Sequence, residues 1–101
     1  MFENELSTAA ELRDLGKYQE AQKWLILFLE NDPNNLEALS LLSHIYILDK
    51  NEKESEKILS QPLLLNSNLP SVHRNQIRLL LRQSKFSEAL KRAKLLHKGS
   101  I

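Results

Sequence analysis

The sequence predicts an all-α chain of three antiparallel helix pairs, and three observations carry that prediction. Leu, Ala, Lys, Glu and Gln dominate, with only two Gly and three Pro in 101 residues, so intrinsic propensity favours helix nearly everywhere. Clusters of turn-forming residues then cut the chain into helix-sized pieces. Finally, the pieces recur. Lys17-Tyr18-Gln19-Glu20-Ala21 returns as Lys85-Phe86-Ser87-Glu88-Ala89, with Asn51-Glu52-Lys53-Glu54-Ser55 midway, a spacing of 34 residues per copy.

Each element follows from its breakers. Leu15-Gly16-Lys17 ends the first helix, with Gly16 suited to a left-handed C-cap. The second runs to Asn31-Asp32-Pro33-Asn34-Asn35. The third ends at Asp49-Lys50-Asn51, where Asn51 is the residue able to take the left-handed conformation at low cost. The fourth should stop near Ser60, because Pro62 removes a backbone donor and clashes with the preceding turn, a defect of about 3 kcal/mol in a helix interior. Pro70 suits the first position of the fifth helix. Gln83-Ser84-Lys85 separates it from the sixth, where Glu88 complements the helix dipole. Six helices are therefore expected, forming one domain over 1–101 with repeats of about 2–35, 36–69 and 70–101.

The recurrence has a packing logic. Ala21, Ser55 and Ala89 occupy equivalent positions, and small side chains there let paired helices approach closely. Tyr18, Tyr46 and Phe86 are expected to fill the gaps between pairs. One pair cannot bury its own apolar face, so each stacks on the next and about three are needed for stability.

Composition excludes several functions. Lys plus Arg is 14 against 13 for Asp plus Glu, a formal charge of +1, so no bulk electrostatic attraction to nucleic acid is expected. With no cysteine, thiolate metal sites and cysteine nucleophiles are ruled out, and the chain suits a reducing cytoplasm. Met1-Phe2-Glu3-Asn4-Glu5 does not read as a secretory or mitochondrial leader, and the apolar run Trp24 to Leu29 is too short to span a bilayer. His44, His73 and His97 fall on separate helices without paired ligand spacing. No phosphate loop, nucleophile elbow or active-site carboxylate pair is present. No enzyme activity, metal or other cofactor is expected.

Taken together, the repeats resemble the tetratricopeptide-repeat (TPR) family along nearly the whole chain. The first copy has Gly16, Tyr18, Ala21 and the closing Asp32-Pro33-Asn34-Asn35 at the family's spacings. The second contributes Leu39, Leu42, Ser43, Tyr46, Ser55 and Leu59, and the third Leu80, Phe86, Ala89, Ala93 and Leu96. Glu5 and His73 stand where the family has a bulky first-helix residue, and Pro62 interrupts the middle copy. The resemblance implies a right-handed α-solenoid of three antiparallel hairpins whose first helices line a concave groove, and a scaffold or adaptor that binds a protein or peptide there.

Carried onto this sequence, the family's groove positions are Glu3, Leu6, Ser7, Ala10, Arg13 and Asp14 in the first copy. The second offers Glu37, Ser40, Leu41, His44, Ile47 and Leu48, and the third Ser71, Arg74, Asn75, Arg78 and Arg82. The partner-binding candidates are Leu41, His44, Ile47, Arg74, Asn75, Arg78 and Arg82. Arg74, Arg78 and Arg82 recur every fourth residue and form one stripe, with no acidic residue between Ser71 and Phe86 to relieve their repulsion. An acidic partner would relieve it through the guanidinium's fork of donors; the plainer reading is a solvated charged face. The carboxylate clamp of some family members is absent, since Leu6, Ala10, Leu41, Ser71 and Asn75 occupy its places.

Two further surfaces invite partners. Trp24-Leu25-Ile26-Leu27-Phe28-Leu29 is apolar on every side, so Trp24, Ile26 and Leu27 offer a convex patch, against the simpler reading of tolerated surface aliphatics. No capping helix is evident after the sixth, which leaves the third pair open to self-association or to coverage by further chain. Two alternatives to a free-standing scaffold stay open: an N-terminal recruiting domain of a larger glycosyl- or sulfotransferase-like enzyme, and a small TPR-type secretion chaperone.

Overall fold

The computed structural model describes the backbone of residues 2–99 and the side chains of residues 5–96, and these residues form helices with no strand. The helices are α1 (Phe2–Asp14), α2 (Tyr18–Asn31), α3 (Leu36–Leu48), α4 (Glu52–Leu59), α5 (Pro62–Leu65), α6 (Pro70–Arg82) and α7 (Phe86–Gly99). The all-α reading therefore holds, with one helix more than expected.

The extra helix comes from Pro62. Helix α4 stops at Leu59, as the proline requires, but Pro62 then opens the four-residue α5 at its first position, where a missing N–H costs nothing. The chain uses this turn to insert Leu64, which is fully buried, beside α3 and α4.

The turns that close α1, α3 and α6 share one geometry. Gly16, Lys50 and Ser84 have φ of 76°, 62° and 58° and stand 34 residues apart, from 16 to 50 and from 50 to 84. In each, the following residue donates back to a carbonyl in the last helical turn: Lys17 to Leu12, Asn51 to Tyr46 and Lys85 to Leu80, all at 2.8 Å. A second bond, spanning three residues, runs from Gly16 to Arg13, Lys50 to Ile47 and Ser84 to Leu81. This pair of bonds is the Schellman motif, which satisfies carbonyls a helix end leaves open. It also corrects an expectation. Asn51 has φ −103°, and the left-handed residue is Lys50 one position earlier, because the six-residue ring fixes which residue must reverse the chain.

Packing proceeds from each helix to its neighbours. Helices α1 and α2, α3 and α4, and α6 and α7 pack as pairs; α2 then packs on α3, and α6 on α3 and α4. Helix α3 is the hub. Its residues Ala38, Leu39, Leu42, Ile45 and Ile47 join Leu25, Phe28, Ile58, Leu64, Val72 and Leu79 in one apolar core. Ser40 lies beside Ser71, and Ser43 beside Asn75. The contacts advance in the same sense along both helices, so α3 and α6 run parallel.

Ala21, Ser55 and Ala89 are all buried, as close helix approach demands. Tyr18 and Tyr46 are partly buried against the core. Phe86 departs from that pattern and is 64% exposed. Its two counterparts are flanked by another pair, whereas α7 packs chiefly on α6 among the described residues, and so no neighbour closes over the Phe86 ring. Of the candidate residues, the side chains of Glu3 and His97 lie outside the described set.

Candidate binding groove

An open groove of about 280 Å³ runs between α3 and α6 and reaches the end of α1. Helix α3 presents Glu37, Ser40, Leu41 and His44 to it, α6 presents Ser71, Arg74, Asn75 and Arg78, and α1 contributes Arg13. Steps of three and four residues keep each set on one helical face. Because α3 and α6 are parallel, the groove is polar along its length: Glu37 lies toward one end, and His44, Arg13 and Arg78 toward the other.

Its floor is a buried hydrogen-bond network. Asn75, only 2% exposed, donates through Nδ2 to the Ser40 carbonyl at 2.8 Å, to Ser40 Oγ at 3.1 Å and to Ser43 Oγ at 3.2 Å. Ser43 Oγ in turn donates to the Ser40 carbonyl at 2.7 Å, and Ser40 Oγ donates to Ser71 Oγ at 2.9 Å. The remaining Asn75 oxygen accepts from Arg78 Nη1 at 2.7 Å. Buried polar groups satisfied in this way hold one rigid arrangement, and here the network aims a guanidinium.

Electrostatics at the basic end are unbalanced. Arg13 donates through Nε to Asp14 at 3.0 Å, but among the described residues neither Arg74 nor Arg78 has an ion-pair partner. Burial, followed by the charges of Arg74 and Arg13, lowers the pKa of Arg78 below the ordinary arginine value. Half-buried His44 is pushed down to about 4, first by desolvation, then by Arg78 and Arg13, with Asp14 opposing. At neutral pH the imidazole is therefore neutral, and the groove's positive charge resides on arginine alone.

Three sequence-based candidates are placed differently from the others. Ile47 is 2% exposed and belongs to the core. Three residues past His44 it has turned roughly 60° off the groove face, into the side of α3 enclosed by its neighbours. Arg82 is exposed but lies in the last turn of α6, outside the groove lining. Asn75 reaches the groove but spends its side chain on α3 and Arg78. Conversely, the stripe read along α6 alone understated Arg13, whose alignment with Arg78 depends on how α1 meets α3.

Other apolar surface remains open. Trp24, Ile26 and Leu27 on α2 are exposed, as are Leu81 at the end of α6 and Phe86, Leu90 and Leu95 on α7. Among the described residues no group of three or more His, Asp or Glu side chains is arranged to hold a metal ion, and no helix is long and apolar enough to cross a membrane. No protein-family model and no curated protein matches the chain.

Proposed function

We propose that the chain is a TPR-like array of helical hairpins and that it works as a protein-interaction module, holding an acidic segment of a partner along the groove between α1, α3 and α6. The observation that carries this reading is the convergence of Arg13, Arg74 and Arg78, from two separate helices, on one open groove in which two of the three have no counter-ion among the described residues. Adjacent guanidiniums repel, and a partner's carboxylates would relieve that repulsion while making charge-assisted hydrogen bonds.

The repeat reading is supported by the equivalent turns at Gly16, Lys50 and Ser84, by the buried small residues at 21, 55 and 89, and by the parallel course of α3 and α6. Stacking of this kind leaves the first helix of each pair facing a common groove, which here carries the arginines. Leu41, partly buried at the groove wall, supplies an apolar contact for the segment's stem.

The test is affinity capture from native extract with the wild type and with an Arg74→Glu/Arg78→Glu variant, each first shown to melt normally by circular dichroism. A partner bearing an acidic stretch should be retained by the wild type, lost by the variant, and released progressively as salt rises. Equal retention of every partner by both proteins would move the binding surface elsewhere, with Trp24, Ile26 and Leu27 next to be examined.

A further inference from the structure

The groove's inventory of donors goes further than a preference for acidic ligands. Arg74 and Arg78 are two cations without an ion-pair partner among the described residues, on one helical face and one turn apart. Arg13 has its Nε on Asp14, which leaves its two terminal nitrogens to point elsewhere. The Asn75–Ser40–Ser71 chain of donors also runs one way. Asn75 donates to Ser40, Ser40 donates to Ser71, and the Ser71 hydroxyl hydrogen is the open end of the chain, at the groove wall. The buried acceptor beside Arg78, Asn75 Oδ1, is already taken by it. His44 carries no charge to add.

The basic end therefore presents donors from α1 and from two turns of α6, and its two free charges equal those of a dianion. A carboxylate offers one charge and two oxygens in a plane, which one arginine fork already satisfies. A phosphoryl group carries about −1.5 to −2 at neutral pH and three acceptor oxygens in three directions. Glu37, the one acidic lining residue, would not oppose it. It lies seven residues before His44 on α3, roughly 10 Å along the axis at 1.5 Å per residue, about one screening length at physiological salt. Its carboxylate is placed instead to receive a backbone N–H or a basic side chain of the same ligand.

We infer that the groove selects a phosphorylated segment of a partner protein, with the phosphoryl group seated among Arg13, Arg74 and Arg78 and the flanking chain extending past Ser71 and Leu41 toward Glu37. This rests on the reading of the groove as the partner-binding surface and adds the chemical class of the ligand. Asn75 acts as a positioning residue, holding Arg78 in place. The segment's backbone is what distinguishes it from a free phosphate ion.

The test uses capped pentapeptides of glycine and alanine whose central residue is phosphoserine, glutamate or serine, together with inorganic phosphate, each titrated into the full chain by nitrogen-15 NMR and calorimetry. The phosphopeptide should bind at least tenfold tighter than the glutamate peptide and tighter than inorganic phosphate, with shifts centred on Ser71, Arg74 and Arg78. Arg78→Gln should weaken it at least tenfold, and Arg78→Lys by less. Asn75→Ser should weaken both peptides, the phosphopeptide by the larger factor and by less than Arg78→Gln does, because it loosens the aim of Arg78 and removes no charge. Equal affinity for the phosphoserine and glutamate peptides would overturn the phosphoryl inference and leave the acidic groove standing. Equal affinity for phosphopeptide and inorganic phosphate would reduce the site to an ion site. No binding by any probe would remove the phosphoryl inference, and the capture experiment above would then decide the groove separately.

Discussion

Helices α3 and α7 are nearly equal in length, at 13 and 14 residues, and opposite in circumstance. Helix α3 is packed by α2, α4, α5 and α6 and touches α1, whereas α7 rests mainly on α6. Seven residues of α3 are buried, Ser40 and Ser43 among them. Of the described α7 side chains only Ala89 is buried. The difference separates two tasks that a repeat sequence makes look alike. The middle of the fold holds most of the buried core and, through its buried polar side chains, fixes the groove. The last pair is a platform: its α6 holds the arginines, and its α7 steadies α6 while leaving Leu90 and Leu95 to solvent.

The sharpest way to break this comparison is to delete the same kind of side chain from each helix. Ile45 is fully buried and Leu90 is 58% exposed. Ile45→Ala should cost about 2 to 5 kcal/mol through lost burial and the cavity left behind, and Leu90→Ala about 0.5 kcal/mol or less. Urea melts of both variants, run at two protein concentrations, measure this. A large, concentration-dependent loss for Leu90→Ala would mean that α7 is covered by a second molecule in solution.

Next in size is the polar seam that joins the middle to the platform. Asn75→Ala removes four hydrogen bonds between α6, α3 and Arg78 and leaves buried serine hydroxyls to find new partners. A loss of about 1 to 3 kcal/mol is expected. An Asn75→Ala melt indistinguishable from the wild type would show that the seam positions Arg78 without contributing to stability.

This seam also marks where the sequence stops being legible. The turn-forming clusters placed the breaks after Asp14, Leu48 and Arg82 to within a residue or two, because a helix end is a local event that needs a left-handed residue and satisfied carbonyls. The groove positions implied by the family resemblance gathered Leu41, His44, Arg74 and Arg78 on one side, whereas helical period alone groups only residues of one helix, such as Arg74 and Arg78. It did not distinguish Ser40 and Asn75, which face each other, from residues facing a ligand. Both are polar at the right spacing, and only the direction of the neighbouring helix separates them. Ile47 failed for the same reason, as did Phe86, whose ring needs a following pair that α7 does not meet. Helix α5 was missed because a proline that ends one helix is equally suited to begin another.

A smaller effect separates the middle from the platform by pH. His44, on α3, faces Arg13 and Asp14 of α1 and Arg78 of α6, and its folded pKa of about 4 lies below the ordinary 6.5. As pH falls through this window the unfolded chain takes up the proton first, so the stability that comes from keeping His44 neutral is present above about 6.5 and is lost toward 4. Because the ring is half exposed, the loss should be about 1 to 2 kcal/mol. Subtracting the pH dependence of a His44→Gln variant isolates it, since the carboxylates titrate in both proteins. Parallel curves for the two between pH 6.5 and 4.5 would mean that His44 is solvated more freely than its position implies.

The smallest effects lie in the turns, where one geometry is built from three different residues. Gly16 meets no atom within 4 Å of an added Cβ, so Gly16→Ala should cost about 1 kcal/mol from its positive φ alone. Lys50 and Ser84 already carry that strain at φ 62° and 58°. Lys50→Gly should therefore gain stability, by about 0.5 kcal/mol after the greater freedom glycine gives the unfolded chain is set against the relief. Ser84→Gly has the same local chemistry, and here the two regions part. The Lys50 turn joins α3 to α4, both of which contribute side chains to the core, so its gain should appear in the global melt. The Ser84 turn joins α6 to the lightly held α7, which can open without the rest. Its gain should appear as slower hydrogen exchange of α7 amides with little change in the melting midpoint. Equal shifts of the global midpoint for both variants would show that α7 unfolds together with the core, and the division between a stable centre and a separable platform would have to be abandoned.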